Sequence, residues 1–237
     1  MHAKASVDEI RARFDHDVER FSNLESGQIA TQDASLVLEL IAACAARVTP
    51  QAKSLTDLGC GAGNFSLKLS QRFALDRITL VDLSANMLQR AVERLAVAVP
   101  GTAVSAQQCD IRALALPAGS QDLIVAAAVL HHLREESEWA AMFRKLFEAL
   151  RPGGSVWIWD LVEHDIPGLQ AEMWSRYGEY LAGMKGVEYR DKVLAYVEYE
   201  DSPRSVGFQL EQLRGAGFQA DVVHKNGCFA AICAVRR

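Results

Sequence analysis

Apolar residues recur at three- and four-residue steps from the start of the chain. Val7, Ile10, Phe14, Val18 and Phe21 fall on one face, which predicts an amphipathic helix. A second stripe, Val37, Leu40, Ile41, Cys44 and Val48, predicts another helix that stops at Pro50. From Ser54 the texture changes to short apolar runs at 54–58, 78–82, 103–109, 123–129 and 155–160. Helical stretches near 65–73, 85–97 and 136–150 lie between them. In the last of these, Trp139, Phe143, Leu146, Phe147 and Leu150 make one stripe, ended by Arg151-Pro152-Gly153-Gly154. Strands alternating with helices predict a parallel sheet covered by helices on both faces.

The end of the chain reads differently. A helix closes over 210–214, Gly215-Ala216-Gly217 turns the chain, and 218–224 and 229–235 read as two strands. Their connection, Lys225-Asn226-Gly227, contains Asn-Gly, a strong hairpin signal. The expected fold class is therefore α/β: a doubly wound, seven-stranded, mostly parallel sheet with an antiparallel terminal strand. One domain is expected over 1–237, with N-terminal helices over 1–50. Residues 161–205 are longer than a crossover needs and read as a helical lid insertion. All five tyrosines, Tyr177, Tyr180, Tyr189, Tyr196 and Tyr199, fall in that lid, with Trp174 and nine acidic against five basic residues.

Composition narrows the partners. Half of the 237 residues are hydrophobic and 23% are charged, which suits a folded domain with a sizeable core. A net charge of −5 offers no basic field for a phosphate backbone, so nucleic acid is not an expected partner. Cys44, Cys60, Cys109, Cys228 and Cys233 are odd in number and scattered, with no CxxC pair. That argues against a disulfide framework and against a zinc site, and suits a reducing cytoplasm; no metal is expected. No apolar run approaches the roughly 18 residues of a membrane span. The opening Met1-His2-Ala3-Lys4-Ala5-Ser6-Val7-Asp8-Glu9 has acids where a signal peptide needs an apolar stretch.

The chemistry concentrates at strand ends. Asp57-Leu58-Gly59-Cys60-Gly61-Ala62-Gly63-Asn64-Phe65 follows the first strand and opens a helix, so its glycines let the backbone approach a ligand. The spacing is GxGxG, and Asn64 stands after it, so the third glycine of the dinucleotide fingerprint is missing. Asp82 ends the next strand in Leu80-Val81-Asp82-Leu83-Ser84, where it can accept both hydroxyls of a ribose. Cys109-Asp110-Ile111 closes the third strand; Asp110 can take an adenine amino group while Ile111 packs its ring. The fourth ends in Ala126-Ala127-Ala128-Val129-Leu130-His131-His132-Leu133. All these ends share the carboxyl edge of the sheet, where open α/β folds bind ligands.

Asp57–Gly63, Asp82, Cys109-Asp110-Ile111, the segment 122–133 and Leu150-Arg151-Pro152-Gly153-Gly154 together resemble the class I S-adenosylmethionine-dependent methyltransferases, whose fold is Rossmann-like. The resemblance covers roughly 54–160 and the terminal strand pair. It implies S-adenosylmethionine as cofactor, with the glycine turn on its methionine portion, Asp82 on the ribose, and Asp110 with Ile111 on the adenine. The implied cofactor-binding set is Asp57, Gly59, Cys60, Gly61, Gly63, Asn64, Asp82, Leu83, Met87, Asp110, Ile111 and Ala127. The N-terminal helices and the lid are more similar to small-molecule methyltransferases, many of which are dimers. A weaker likeness, to carboxy-S-adenosylmethionine synthases, rests on Phe14-Asp15-His16-Asp17-Val18-Glu19 and on 201–218. Those enzymes read their product's carboxylate with a lid arginine; Arg190 is the nearest candidate here.

The expected function is methyl transfer to a small-molecule acceptor by in-line displacement, with product S-adenosylhomocysteine. His131, His132 and Tyr180 are the candidates for positioning or general-base work, since imidazole titrates near neutrality and aromatic faces suit a cationic centre or a flat polar ring. Three rivals stand beside this reading: a carboxy-S-adenosylmethionine synthase-like enzyme of tRNA wobble-uridine modification, a non-catalytic cofactor-binding module, and a nicotinamide oxidoreductase, against which Asn64 argues.

Overall fold

The structure, a computed structural model, describes residues 4–16, 18–19 and 30–237. Helix α1 (Val7–His16) buries Ile10; Phe21 of the expected stripe and Asp17 lie outside the described residues. Helix α2 (Ala34–Val48) turns Val37, Leu38, Ile41, Ala42 and Ala45 inward. Then come β1 (Ser54–Leu58), α3 (Asn64–Ser70), β2 (Arg77–Asp82), α4 (Ala85–Ala98), β3 (Ala103–Gln108), β4 (Gln121–Ala127), α5 (Glu136–Ala149) and β5 (Leu150–Leu161). The lid forms α6 (Pro167–Lys185) and α7 (Val187–Glu200). Helix α8 (Val206–Gly215) leads to β6 (Gln219–Asn226) and β7 (Phe229–Val235).

The strands lie in the order β3-β2-β1-β4-β5-β7-β6. Every pairing from β3 to β5 is parallel, and β7 runs antiparallel between β5 and β6. The chain winds outward from β1 to β3 and then returns to place β4 beside β1. That reversal is the switch point at which such sheets open a crevice beyond their carboxyl ends. Side chains alternate between two cores: Trp157 and Trp159 of β5 pack with the α2 and α4 side, while Val156 and Ile158 pack with Trp139, Phe143 and Leu146 of α5.

Among the boundaries that differ from the sequence expectation, three have a visible cause. β4 stops at Ala127 rather than 129, because Ala128 takes a left-handed φ of 53° and hands over to a short 3₁₀ turn at Leu130–His132. β5 begins at Leu150, where a helix end was expected. Leu150 pairs with Gln121 before the register slips and Ser155 pairs with Leu123, so 151–154 bulge out of the ladder. The hairpin loop is Gly227-Cys228, one residue later than the Asn-Gly signal suggested. Asn226 still pairs with Phe229, and Gly227 alone supplies the positive φ, 52°. β7 starts opposite Leu161, so this hairpin sits on the same carboxyl edge as the strand ends above.

Helix α1 is strapped across that edge. Arg13 grips Glu200 through Nε at 2.8 Å and through Nη2, and the Ala5 N–H donates to the Tyr199 carbonyl at 3.0 Å. At the other end, the Ser84 hydroxyl donates to Asp15, and Asn86 Nδ2 donates to the Asp15 carbonyl at 3.1 Å. No helix among the described residues is long and apolar enough to cross a membrane.

Candidate functional site

The three glycines after β1 take φ values of 62° (Gly59), 49° (Gly61) and 82° (Gly63), but for different reasons. A Cβ on Gly59 would meet Val129 Cγ2 at 2.6 Å, so the turn is pressed against the end of β4. A Cβ on Gly61 would meet nothing within 4 Å; its space opens into a cavity of about 1190 Å³, solvent at the mouth included. Gly63 lies outside that cavity and lets the start of α3 approach Ala91 of α4.

Asp82 stitches the turn to β2. Its Oδ2 accepts the Gly61 N–H at 2.8 Å and its Oδ1 accepts the Ser84 N–H at 2.9 Å. A carboxylate has about four acceptor positions, so two remain for a ligand. Asn64 is held from α4 by Arg94, whose Nη1 donates to its Oδ1 at 2.8 Å. Asp57 is 1% exposed and accepts the Ser66 hydroxyl at 2.6 Å. Burial pushes the Asp57 carboxyl up to about 7 and also raises Asp82 and the Cys60 thiol. Two buried acids facing one cavity suit a ligand that brings positive charge and hydroxyl donors. The one cation among the described lining residues, Arg112, is already taken up by Asp110 at 2.6 Å and Glu138 at 3.2 Å. Burial alone would raise Asp110; Arg112 overrides it and holds that carboxyl below its usual range.

The raised Asp57 makes a prediction. In the unfolded chain it ionises near 3.8, in the folded ligand-free protein only near 7. Folding is therefore penalised increasingly as pH rises from 4 to 7, and by a constant amount above. Asp57→Asn is expected to leave stability unchanged near pH 4 and to raise it by a few kcal/mol, in order of magnitude, above pH 7. Denaturant titrations of both proteins across that range check this; parallel curves at all pH values would contradict it.

Of the residues singled out in the sequence, Asp57, Gly59, Cys60, Gly61 and Asn64 line the cavity from the turn. Asp82, Leu83 and Met87 line it from β2 and α4, and Asp110, Ile111, Ala127 and His132 from beyond β3 and β4. Gly63 does not. Sequence reasoning missed Phe14 and Ile10, which roof the cavity from α1, as well as Arg112 and Trp159. Phe14 was visible as part of a helical stripe and of the segment that resembles carboxy-S-adenosylmethionine synthases, but not as a cavity residue. Trp159 had a visible signal in its place near the carboxyl end of a strand next to β4.

A second, smaller cavity shares Thr31, Ala128 and Trp159 with the first and adds His131, Asp160, Tyr177, Asp201 and Phe229. Here His131 lines the second cavity while His132 lines the first, although their ring centroids are only 4.4 Å apart. His131 Nδ1 pairs with Asp160 Oδ1, whose other oxygen accepts the Leu130 N–H at 2.8 Å and the His131 N–H at 3.2 Å. Burial disfavours charge on His131, but Asp160 and Asp201 outweigh it and lift the imidazole to about 9. Tyr180 lines neither cavity and stacks on Tyr177, ring centroids 6.5 Å apart; the buried tyrosine at the second cavity is Tyr177. Arg190 lies on α7, bonded to Asp191 at 2.8 Å, and lines neither cavity. The indole N–H of Trp159, 2% exposed, has no hydrogen-bond partner among the described residues.

Comparison with known proteins places the chain in a family. Residues 55–154 match a methyltransferase domain family. A trans-aconitate 2-methyltransferase of Azoarcus sp. (strain BH72) is 31% identical over 185 residues, 71% of this chain and 69% of its own length. A carboxy-S-adenosyl-L-methionine synthase of Chromohalobacter salexigens is 32% identical over 169 residues, 68% of this chain and 60% of that protein. Across the first three trans-aconitate relatives, the match spans from 39% to 69% of the relative's length. The solved structure of a DhpI–SAM–HEP complex superposes with a TM-score of 0.65 at 17% identity, over 99% of each chain. Its fold is therefore shared, while the relatedness is carried by the longer-range identity to the Azoarcus enzyme. On that identity and the domain match, the chain belongs to the class I S-adenosylmethionine-dependent methyltransferases.

Proposed function

We propose that this enzyme methylates a small-molecule acceptor held in the second cavity, from S-adenosylmethionine held in the first. The observation that carries this is the shared wall: Thr31, Ala128 and Trp159 line both spaces, so a donor in one faces an acceptor in the other. In this reading Asp82 takes the ribose hydroxyls, Asp110 and Ile111 the adenine, and the glycine turn with Asp57 the methionine portion. The bound cofactor supplies an already activated, positively charged methyl donor. What remains for the chain is alignment and exclusion of water, which together are worth several kcal/mol of barrier. Ile10 and Phe14 close the first cavity from α1, and His132 stands at its inner wall.

The orphaned Trp159 N–H is a donor waiting for an acceptor oxygen, and an unpaired buried donor costs about 1–3 kcal/mol. The names of the relatives set the first panel: trans-aconitate, then phosphoethanolamine and demethylmenaquinone. On whichever acceptor turns over, Trp159→Phe keeps an aromatic ring but removes the N–H donor together with part of the indole's volume. It is expected to raise the acceptor KM about tenfold, a larger change than in the Kd of S-adenosylhomocysteine, whose cavity Trp159 also lines. An unmoved KM would contradict this placement of the acceptor.

The identity to a carboxy-S-adenosyl-L-methionine synthase supports a second reading. Mass spectrometry separates the two. The first predicts a methylated acceptor, the second a carboxylated sulfonium. Arg190, outside both cavities, does not serve the second reading.

A further inference from the structure

We propose that His131, His132 and Asp201 form a site for one divalent transition-metal ion, zinc-like in its preferences, in the wall between the two cavities. One donor atom from each of the three lies within 4.8 Å of the others. His132 Nδ1 is 3.3 Å and His131 Nε2 3.6 Å from the same oxygen, Asp201 Oδ1. Ligands about 2.1 Å from a shared ion stand about 3.0–3.4 Å apart, so these separations need only a slight closure. Two imidazoles and a carboxylate are a donor set suited to zinc, cobalt or iron(II), not to magnesium or calcium.

Two further features point the same way. His131 gives its other nitrogen to Asp160, the carboxylate–histidine arrangement that orients metal-bound imidazoles. Asp160 is itself locked by the Leu130 and Leu161 N–H groups, both at 2.8 Å. His132 Nδ1 is buried and, among the described residues, makes no hydrogen bond, although Asp201 lies beside it. Two carboxylates against two imidazoles leave the cluster negative when the imidazoles are neutral. Arg13, whose charge reaches both His131 and Asp201, is paired with Glu200.

The site rests on the functional reading above for its use, not for its existence. An ion there has open positions toward the second cavity, lined by His131 and Asp201. It would take an oxygen of the acceptor, a carboxylate, enediol or phenol, and supply positive charge where Asp160 and Asp201 otherwise repel an anion. Sequence reasoning set metals aside on cysteine spacing, but this ligand set contains no cysteine, and Asp201 arrives from the far end of the lid.

The test is a Co²⁺ titration of metal-stripped protein, followed by visible absorption and by calorimetry, with S-adenosylhomocysteine binding measured on the same samples. One equivalent with a visible d–d spectrum and no thiolate charge-transfer band is expected. Asp201→Asn and His132→Gln are each expected to lower affinity at least tenfold, and Asp160→Asn by about 10- to 100-fold. No binding, a thiolate band, or binding unchanged in the Asp201 and His132 variants overturns the proposal. S-adenosylhomocysteine binding without Co²⁺ binding would sink the metal site alone. Co²⁺ bound at these residues, with no S-adenosylhomocysteine bound, would sink the cofactor assignment and leave the metal site standing.

Discussion

Asp82→Ala is expected to weaken S-adenosylhomocysteine binding by at least about 100-fold. Hydrogen bonds to a charged group are worth about 1.5–3 kcal/mol each, and a ribose presents two hydroxyls to this carboxylate. The same substitution removes the acceptor for the Gly61 and Ser84 N–H groups, so the turn loses its tie to β2. Asp82→Asn separates the two effects. Its amide oxygen keeps one of those acceptor roles, so the fold is held better than in the alanine variant while the charge is gone. Calorimetric titration of the three proteins, with near-ultraviolet circular dichroism as the check on folding, decides the matter. An unchanged Kd in Asp82→Ala would contradict the assignment.

The second large effect is a contrast between two glycines two residues apart, Gly59 and Gly61. Gly59→Ala places a methyl 2.6 Å from Val129 Cγ2 and 2.7 Å from Val129 Cβ, at a φ of +62°. The left-handed conformation costs about 1–2 kcal/mol and overpacking about 1–3 more. For a chain of this length that is a fall in Tm of roughly 4–20 °C. Gly61→Ala suffers only the conformational cost, a fall of roughly 2–8 °C, because its Cβ meets nothing within 4 Å. It does, however, put a methyl into the cavity where the cofactor is assigned. The expected pattern is a stability defect in Gly59→Ala, and a binding defect out of proportion to stability in Gly61→Ala. Equal losses of Tm, or full affinity in Gly61→Ala, would contradict this division of roles.

The parallel half of the fold was legible because period and punctuation agreed. β1 spans the five positions read from its apolar run, and α4 matches its stripe to within a residue, with Ser84 capping it by accepting the Met87 N–H at 3.1 Å. The turn residues were legible because a GxGxG run between a strand and a helix needs positive φ and close approach, which few other sequences satisfy. What failed were features set by long-range contact. Ala128 carries no mark of its left-handed backbone, which is fixed by the Trp159 carbonyl accepting its N–H at 2.7 Å. The hairpin slipped by one residue because cross-strand pairing of Asn226 with Phe229 overrode the local Asn-Gly preference. Tyr180 was chosen from an uneven distribution of aromatics, and helical phase sent Tyr177 inward instead. That His131 lines the second cavity and His132 the first could not be read from adjacent letters. It follows from Asp160, 29 residues away, capturing the first ring.

A crystal structure of the protein with S-adenosylhomocysteine bound tests the account most directly. The account predicts the ribose hydroxyls on Asp82, the adenine beside Asp110 and Ile111, and the sulfur facing the side of the cavity formed by Thr31, Ala128 and Trp159. A ligand whose sulfur points away from those residues, or whose ribose leaves Asp82 untouched, would contradict it.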